Sequence, residues 1–251
     1  MNEGAHMELK TYRETFLIRT CDCDFMGEWR PSGILTAMQE IAGMHSQLLG
    51  CGREALMRNN LVWVLTRSEV RMQKYPRVGD TVTLETFPMP IRRWFFPRYY
   101  LFRDQKGETL GCAATLWALM DFKERKMAPP GDVAKSLPDN SDLQPPMGMP
   151  GAAEIPDNGE ETVIGRLPAY FDLDVNLHVN NARYVDWACD ALGVDTMREH
   201  RLQSMRINYE AEIRPEKGME LHLIRRDEKF YLSGVHEGVR HFEMDGVLEK
   251  R

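Results

Sequence analysis

Two segments of this chain, 150 positions apart, carry the same pattern of residues. CDCDFMGEWRPSGILTAMQEIAG (21–43) and FDLDVNLHVNNARYVDWACDALG (171–193) each have an aspartate at their second and fourth positions and continue in register into an apolar helical pattern. Downstream, 66–79 and 205–218 share an Arg, a Pro and a Gly at equal spacing. A repeat of this kind predicts a duplicated module. Half of the 251 residues is about 125, an ordinary domain size.

The two copies differ where polar residues are densest. Asp174, Asn176 and His178 lie just before the second predicted helix, and Glu212 lies downstream of it. The first copy has a different residue at three of these positions: Met26 faces Asn176, Glu28 faces His178 and Gln73 faces Glu212. This divergence predicts one catalytic copy and one that has lost its chemistry.

Both halves have the pattern of one helix followed by antiparallel strands, which is α+β. In the first half we predict a helix over Ser32–Leu49 and strands at 11–20, 61–73, 80–88, 94–103 and 109–120. In the second half we predict a helix over Asn181–His200 and strands at 160–170, 203–213, 219–226, 229–235 and 239–248. Residues 127–159 hold seven of the 14 prolines and are expected to be a linker. The predicted division is therefore an N-terminal module (8–126), the linker (127–159) and a C-terminal module (160–251).

The polar cluster of the second copy has the parts of a hydrolytic site. In an extended segment, Asp174, Asn176 and His178 alternate and point to one side. Glu212, expected on the strand after the helix, can reach them. Glu212 or His178 would serve as general base, Asn176 as donor to a developing oxyanion and Asp174 as the orienting acid. This set suits attack by an activated water on a polarised carbonyl.

Other interpretations of the same residues remain open. The Asp and Asn residues could be turn and cap chemistry, with Asn180 or Asn181 as N-cap of the helix. A metal site of Asp172, Asp174 and His178 lacks a second histidine, and the Cys21/Cys23 pair lacks any partner pair. Cys189 has the setting of a small core residue. We therefore expect neither a metal nor a cofactor.

Composition restricts location and partners. The net charge of −6 argues against a nucleic-acid binder. No apolar run approaches the ~20 residues of a membrane span, and the first residues do not read as a targeting peptide. Five cysteines form an odd set without a framework, which favours reduced thiols. These features predict a cytoplasmic protein.

At these residues the chain resembles the acyl-acyl-carrier-protein (acyl-ACP) thioesterases of plant plastids and bacteria. DLDVNLHVNNARYVDW (172–187) is similar to the family signature almost position for position. LVWVLTRSEVRMQKYPRVGDTVTLET (61–86) and INYEAEI (207–213) resemble further stretches of that family. The resemblance implies a tandem (double) hotdog, each module a long helix wrapped by an antiparallel β-sheet. It also implies hydrolysis of fatty acyl-ACP thioesters to free fatty acids.

By this resemblance the catalytic positions are Asp174, Asn176, His178 and Glu212. The family's glutamate is thought to activate water, with the aspartate and histidine in support and the asparagine steadying the thioester oxygen. Where the plant enzymes have a cysteine beside that glutamate, this chain has Ile213, which favours direct attack by water. Three rivals remain: an acyl-CoA thioesterase, a hotdog dehydratase and a non-catalytic acyl-binding module.

The resemblance also implies partners and a pocket. The acyl carrier protein is acidic, so we expect it to dock on Arg92 and Arg93, or on Lys123, Arg125 and Lys126. The first module is expected to hold the acyl tail, with Met38, Ile41 and His45 of its helix bordering it. Residues Trp63, Trp94, Phe95 and Phe96 are further candidates for the lining. The sequence leaves chain length, the choice between carrier protein and CoA, and formation of a homodimer open.

Overall fold

The computed structural model of the protein describes residues 9–251. Its helices are α1 (Pro31–Leu48), α2 (Arg53–Arg58), α3 (Arg183–Leu192) and α4 (Val194–Glu199). The strands of the first half are β1 (Tyr12–Leu17), β2 (Leu61–Met72), β3 (Thr81–Pro88), β4 (Phe95–Asp104), β5 (Thr109–Asp121) and β6 (Lys126–Ala128). Those of the second half are β7 (Glu160–Arg166), β8 (His200–Tyr209), β9 (Met219–Arg226), β10 (Lys229–His236) and β11 (Val239–Lys250).

All the strands belong to one antiparallel sheet that runs through both halves. Its order is β1-β3-β4-β5-β2-β8-β11-β10-β9-β7, and β6 pairs with the end of β5, from Leu119 opposite Ala128 to Asp121 opposite Lys126. The halves meet where β2 pairs with β8, from Arg67 opposite Asn208 to Arg71 opposite Ser204. In each half a helix packs on its part of the sheet, α1 in the first and α3 in the second. The predicted α+β tandem hotdog is therefore confirmed.

The helices bury apolar faces in a core that the two halves share. Ile34, Met38 and Ile41 of α1 are at most 1% exposed, and Trp187 of α3 is fully buried. These side chains belong to the same apolar cluster as Phe242 of β11. Because α1 and α3 also contact each other, burying one helix helps to bury the other.

The predicted helix over Asn181–His200 is wrong in one respect, because it is two helices. Gly193 has φ +85° and ψ 154°, a conformation that essentially only glycine adopts. It ends α3 at Leu192 and redirects the chain into α4. The predicted cap by Asn180 or Asn181 is also wrong, because Ala182 is the N-cap of α3 and no side chain among residues 9–251 caps this helix. The Asn180 side chain instead accepts a bond from Ala182 N (2.9 Å) in the turn before α3.

The first part of the proline-rich segment lies against the first half of the sheet, and its last residues bond the second half, where Glu154 pairs with Arg206 of β8 (3.0 Å). It begins with β6 and a 3-10 helix over Gly131–Ser136. Asn140, fully buried, donates to the carbonyls of Lys10 (2.9 Å) and Pro88 (2.7 Å), and Leu143 packs on the outer face of the sheet. Between residues 9 and 251, no helix is long and apolar enough to cross a bilayer.

Candidate active site

The segment that carries the polar cluster is a tight turn and not the extended segment that we predicted. Asp174 N bonds the His178 carbonyl (2.8 Å), and Leu177 N bonds the Asp174 carbonyl (3.0 Å). Asp174 Oδ1 accepts the backbone N–H groups of Asn176 (2.8 Å) and His178 (3.2 Å). Leu177 takes a left-handed φ of +58° to close the turn. The three side chains therefore converge through a turn built on the Asp174 carboxylate.

The first copy contains the same turn. Asp24 Oδ1 accepts the N–H groups of Met26 (2.8 Å) and Glu28 (3.1 Å), and Gly27 takes φ +75° where Leu177 lies in the second copy. Asp24 N likewise bonds the Glu28 carbonyl (2.8 Å). The repeat seen in the sequence is thus a repeat of structure, and the aspartate builds the turn in both copies.

Two hydrogen bonds fix the orientation of the Asn176 amide. Arg53 Nη2, from α2, donates to Asn176 Oδ1 (3.2 Å), and Asn176 Nδ2 donates to Asp174 Oδ2 (3.4 Å). Since a guanidinium can only donate, the bond to Arg53 identifies the amide oxygen. The amide nitrogen carries two hydrogens, so a second N–H is available to a bound carbonyl oxygen. Sequence reasoning missed Arg53, because nothing local links a residue 123 positions away to Asn176.

His178 and Glu212 face each other across the site. His178 Nε2 lies 3.5 Å from Glu212 Oε2, and the side chains are 21% and 37% exposed. We predicted Glu212 on a strand, and this is wrong, because β8 ends at Tyr209. It lies in the following loop, which bonds the turn through Val179 N and the Ile213 carbonyl (2.8 Å).

His241 holds the loop that carries Glu212. Its ring Nδ1 donates to the Glu212 carbonyl (3.0 Å), and its own carbonyl accepts from Glu210 N and Ala211 N (2.9 Å each). Burial and nearby Lys217 lower the pKa of this imidazole, which favours the neutral ring. Three hydrogen bonds from this one residue of β11 therefore fix the position of the loop that carries the Glu212 carboxylate.

Arg125 belongs to the site, although we predicted it as part of a docking surface. It lies in the turn between β5 and β6 with φ +55°, and its Nη2 donates to Glu212 Oε2 at 2.6 Å. The Glu212 oxygen that faces His178 therefore also accepts a hydrogen bond from a guanidinium of the first module. This ion pair holds the carboxylate toward the ring.

Both modules line the pocket around these groups. Its volume is ≈ 270 Å³, and Trp63, Trp117 and Arg125 line it from the first module, opposite the turn and loop of the second. Buried Tyr184 and half-buried Tyr209 form part of its wall. Burial raises the pKa of both phenols, so they remain neutral at ordinary pH. Burial also raises the pKa of the Cys189 thiol, which fits its expected place in the core.

A second, apolar pocket adjoins the first. It has a volume of ≈ 200 Å³ and shares Trp63 and Trp117 with the polar pocket. Its lining from α1 is Gln39, Ala42, Gly43 and Ser46. Met38, Ile41 and His45, which we expected to border the acyl tail, are buried in the core and do not line this pocket. Phe96 does line the pocket, whereas Trp94 is 43% exposed at the surface.

The equivalent place in the first copy is filled by ion pairs. Glu28, which stands where His178 does, is 2% exposed and contacts Arg77 (3.2 Å), Arg201 (3.5 Å) and Arg251. The residue matching Glu212 is Tyr75 and not Gln73. Trp29 N bonds the Pro76 carbonyl just as Val179 N bonds that of Ile213, which places Tyr75 and Glu212 at matching positions. Gln73 N and Lys74 N bond the Leu110 carbonyl as Glu210 N and Ala211 N bond that of His241, so the ungapped alignment was two residues out of register here.

Comparisons with known proteins agree with this architecture. The profile of the acyl-ACP thioesterase N-terminal domain matches residues 9–135, and that of the C-terminal domain matches 158–241. The palmitoyl-acyl carrier protein thioesterase of Arabidopsis thaliana chloroplasts is 33% identical over 216 residues, 80% of this chain and 52% of that protein. The chloroplastic oleoyl-acyl carrier protein thioesterase 1 of the same plant is 25% identical over 218 residues, 80% and 60%. The chain therefore spans about half the length of the curated relatives it matches.

Solved structures share the whole fold. An acyl-ACP thioesterase from Bacteroides thetaiotaomicron superposes with a TM-score of 0.84 at 22% identity, covering 96% of this chain and 99% of that one. The 12:0-ACP thioesterase from Umbellularia californica gives 0.81 at 21% identity, covering 96% and 98%. The two profiles, which span most of the chain, lead to one conclusion: this chain belongs to the acyl-ACP thioesterase family.

Proposed function

We propose that this chain hydrolyses fatty acyl thioesters carried on acyl carrier protein and releases free fatty acid. The observation that carries the proposal is the facing pair of His178 Nε2 and Glu212 Oε2, 3.5 Å apart, beside the fixed amide of Asn176. A base and an oxyanion donor at one pocket are the parts that acyl transfer to water requires. The adjoining apolar pocket gives a hydrocarbon tail a place to bury.

In the proposed mechanism Glu212 is the base. A water between the carboxylate and the thioester loses its proton to Glu212 as its oxygen attacks the carbonyl carbon. The Asn176 N–H stabilises the negative charge that develops on the carbonyl oxygen. When the tetrahedral intermediate collapses, the C–S bond breaks and the thiolate leaves, taking a proton that His178 can relay from Glu212. Asp174 holds the turn and the amide, which makes it a positioning residue.

The carrier protein is part of the proposal. Four exposed basic residues lie close together in the chain at two places: Arg92 and Arg93 on the loop between β3 and β4, Lys123 on the turn between β5 and β6, and Lys126 at the start of β6. Ile91, from the first loop, packs with Trp63 and Trp117, which line the active-site pocket. An acidic carrier could therefore meet positive charge close to the pocket. Five free cysteines accord with the proposed cytoplasmic location.

One assay tests the activity. Purified protein is given a panel of acyl chains on acyl carrier protein and, in parallel, on CoA, and free fatty acid is measured. The doubly substituted Asn176→Ala/His178→Ala protein, prepared in the same way, reports contaminating host enzymes. We expect acid release from the carrier protein well above that background. Equal rates on the two carriers would favour the acyl-CoA thioesterase, and release no faster than background would refute hydrolysis.

A further inference from the structure

A positively charged side chain lies buried in the wall of the apolar pocket. Arg98 of β4 is 5% exposed and lines this pocket together with Trp63, Phe96 and Leu137. Most of the surface that surrounds it is apolar. A buried charge is costly unless it is paired or well hydrogen-bonded, so a guanidinium in such a place calls for an explanation.

The hydrogen bonds of Arg98 use only part of its capacity. Nη1 donates to His45 Nδ1 (3.1 Å) and to Thr86 Oγ1 (3.3 Å), and Nη2 donates to Ser46 Oγ (3.4 Å). A guanidinium has five N–H groups, so two of them have no acceptor among residues 9–251. No carboxylate pairs with Arg98 in that part of the chain either. The last turn of α1 offers only the partial negative charge of a helix end.

These unused donors restrict what can enter the pocket. Water can satisfy them while the pocket is open to solvent. A plain hydrocarbon chain that passed over Arg98 would remove that water and supply no acceptor, which carries the penalty of an unsatisfied buried charge. A chain with an oxygen at that depth would replace the water and gain a charge-assisted hydrogen bond.

We propose that this pocket selects acyl groups that carry a hydroxyl or keto oxygen at the depth of Arg98, which makes oxygenated acyl thioesters the preferred substrate class. The inference rests on the proposed thioester hydrolysis. It assigns Arg98 the role of a specificity-determining residue. The pocket reaches the site through Trp63, Trp117 and Arg53, so a chain bound there has its thioester end at Asn176.

A scan along the chain tests this inference. Acyl carrier protein is loaded with chains of increasing length, each as the plain acyl group and with a hydroxyl on its terminal carbon. The terminal oxygen then samples each depth of the pocket in turn. For wild type we expect one length at which kcat/KM of the hydroxylated chain exceeds that of the plain chain by about 10-fold to 100-fold. A wild-type preference for the plain chain at every length would overturn the proposal.

Two variants separate recognition from structure. Arg98→Met keeps much of the volume and removes the donors, so we expect the preference at that length to disappear. Arg103→Met, on the same strand but outside the pocket, should leave it unchanged. If Arg98→Met still prefers the hydroxylated chain at that length, the proposal is contradicted. This holds even if the variant also hydrolyses longer plain chains than wild type does. If Arg98→Met does not fold, the wild-type scan alone decides.

The inference can fail separately from the proposed function. Wild-type hydrolysis of plain chains with no favoured oxygenated length would refute the inference and leave the function standing. If no thioester is hydrolysed, calorimetric binding of free fatty acids, plain and terminally hydroxylated, still tests the pocket. Tighter binding of one hydroxylated length, lost in Arg98→Met, would support the inference, and equal affinities would refute it.

Discussion

The two carboxylate oxygens of Asp174 have different tasks. Oδ1 accepts two backbone N–H groups and builds the turn, while Oδ2 accepts the Asn176 side chain. The first task is architectural, since Asp24 performs it in the copy that lacks Asn176 and His178. Only the second task is specific to the site. A pattern of alternating polar residues could not reveal this division, because an extended strand and a tight turn can both bring the side chains together.

Arg53 positions the amide that we propose binds the thioester oxygen. Substitution Arg53→Met removes the donor to Asn176 Oδ1 and lets the amide rotate. Because the N–H would then be aligned only part of the time, we expect kcat to fall about tenfold with a smaller change in KM. The matched control is Arg58→Met at the other end of α2, which is exposed. An equal fall in kcat in both variants would show that the charge on α2 matters and that the hydrogen bond to the Asn176 amide does not.

His45 makes stability depend on pH. Burial and the charge of Arg98 lower the pKa of this imidazole from 6.5 to about 4. The unfolded chain therefore binds the proton first as the pH falls. The contribution of the neutral ring to the free energy of unfolding is fully present above pH 6.5. It is lost as the pH falls from 6.5 to about 4, and we expect the total loss to be about 3 kcal/mol.

Urea unfolding of wild type and His45→Gln across this pH range measures the effect. Glutamine can donate to the Leu9 carbonyl and accept from Arg98 as the neutral ring does, but it does not titrate. We expect the curve of the variant to lack the step that wild type shows. If the free energy of unfolding of the two proteins changes with pH in parallel, His45 is not the source of the step.

At the scale of elements, the break between α3 and α4 depends on one residue. Gly193 has a backbone conformation that an L side chain adopts only with strain. We expect Gly193→Ala to lower the free energy of unfolding by about 1–3 kcal/mol, although a Cβ there would meet no atom within 4 Å.

Gly43→Ala in α1 is the matched control for this substitution. It is the same change in a regular helix, also with nothing within 4 Å of the added Cβ. There we expect stabilisation of about 0.5–1 kcal/mol, because alanine is the better helix former. Chemical denaturation measures both values, and a Gly193→Ala protein as stable as wild type would show that the break needs no glycine.

Sequence reasoning placed most of the elements, because their signals are local. The strands β2 to β5 and β9 to β11 correspond to predicted segments, since period-two patterns and turn residues are read within a short window. The position of Glu212 was harder. The ungapped alignment rested on the shared Arg, Pro and Gly and was two residues out of register here, so it paired Glu212 with Gln73 in place of Tyr75. The Gly193 stop signal was present but was outweighed by the helical pattern on both sides.

At the scale of the whole molecule, the site belongs to neither module alone. The first copy supplies Arg53 to Asn176 and Arg125 to Glu212, contacts across 123 and 87 positions. We predicted the four polar residues of the second copy, and the structure brings them together. The partners from the first copy were not predictable, because the pairing of β2 with β8 creates their proximity and leaves no local signal. The roles and the boundaries of the two modules remain predictions.

The proposed carrier protein gives a prediction at this scale. Charge reversal in Arg92→Glu/Arg93→Glu should raise KM for acyl-ACP about tenfold, because an acidic partner would meet repulsion. An uncharged substrate, acyl-pantetheine, should be hydrolysed as by wild type. Lys123→Glu/Lys126→Glu tests the other loop and spares Arg125, whose loss would disturb Glu212 directly. An equal response of both substrates would exclude docking at the altered loop.

The most direct test of the account is single-turnover hydrolysis of acyl-ACP by Glu212→Gln. This substitution keeps the shape of the side chain and removes its capacity to take a proton from water. Glu216→Gln is the matched control, the same chemical change on an exposed residue of the same loop. We expect the Glu212 variant to lose about 10²–10⁴-fold in rate and the Glu216 variant to match wild type. A Glu212→Gln protein that hydrolyses thioesters at the wild-type rate would contradict the account.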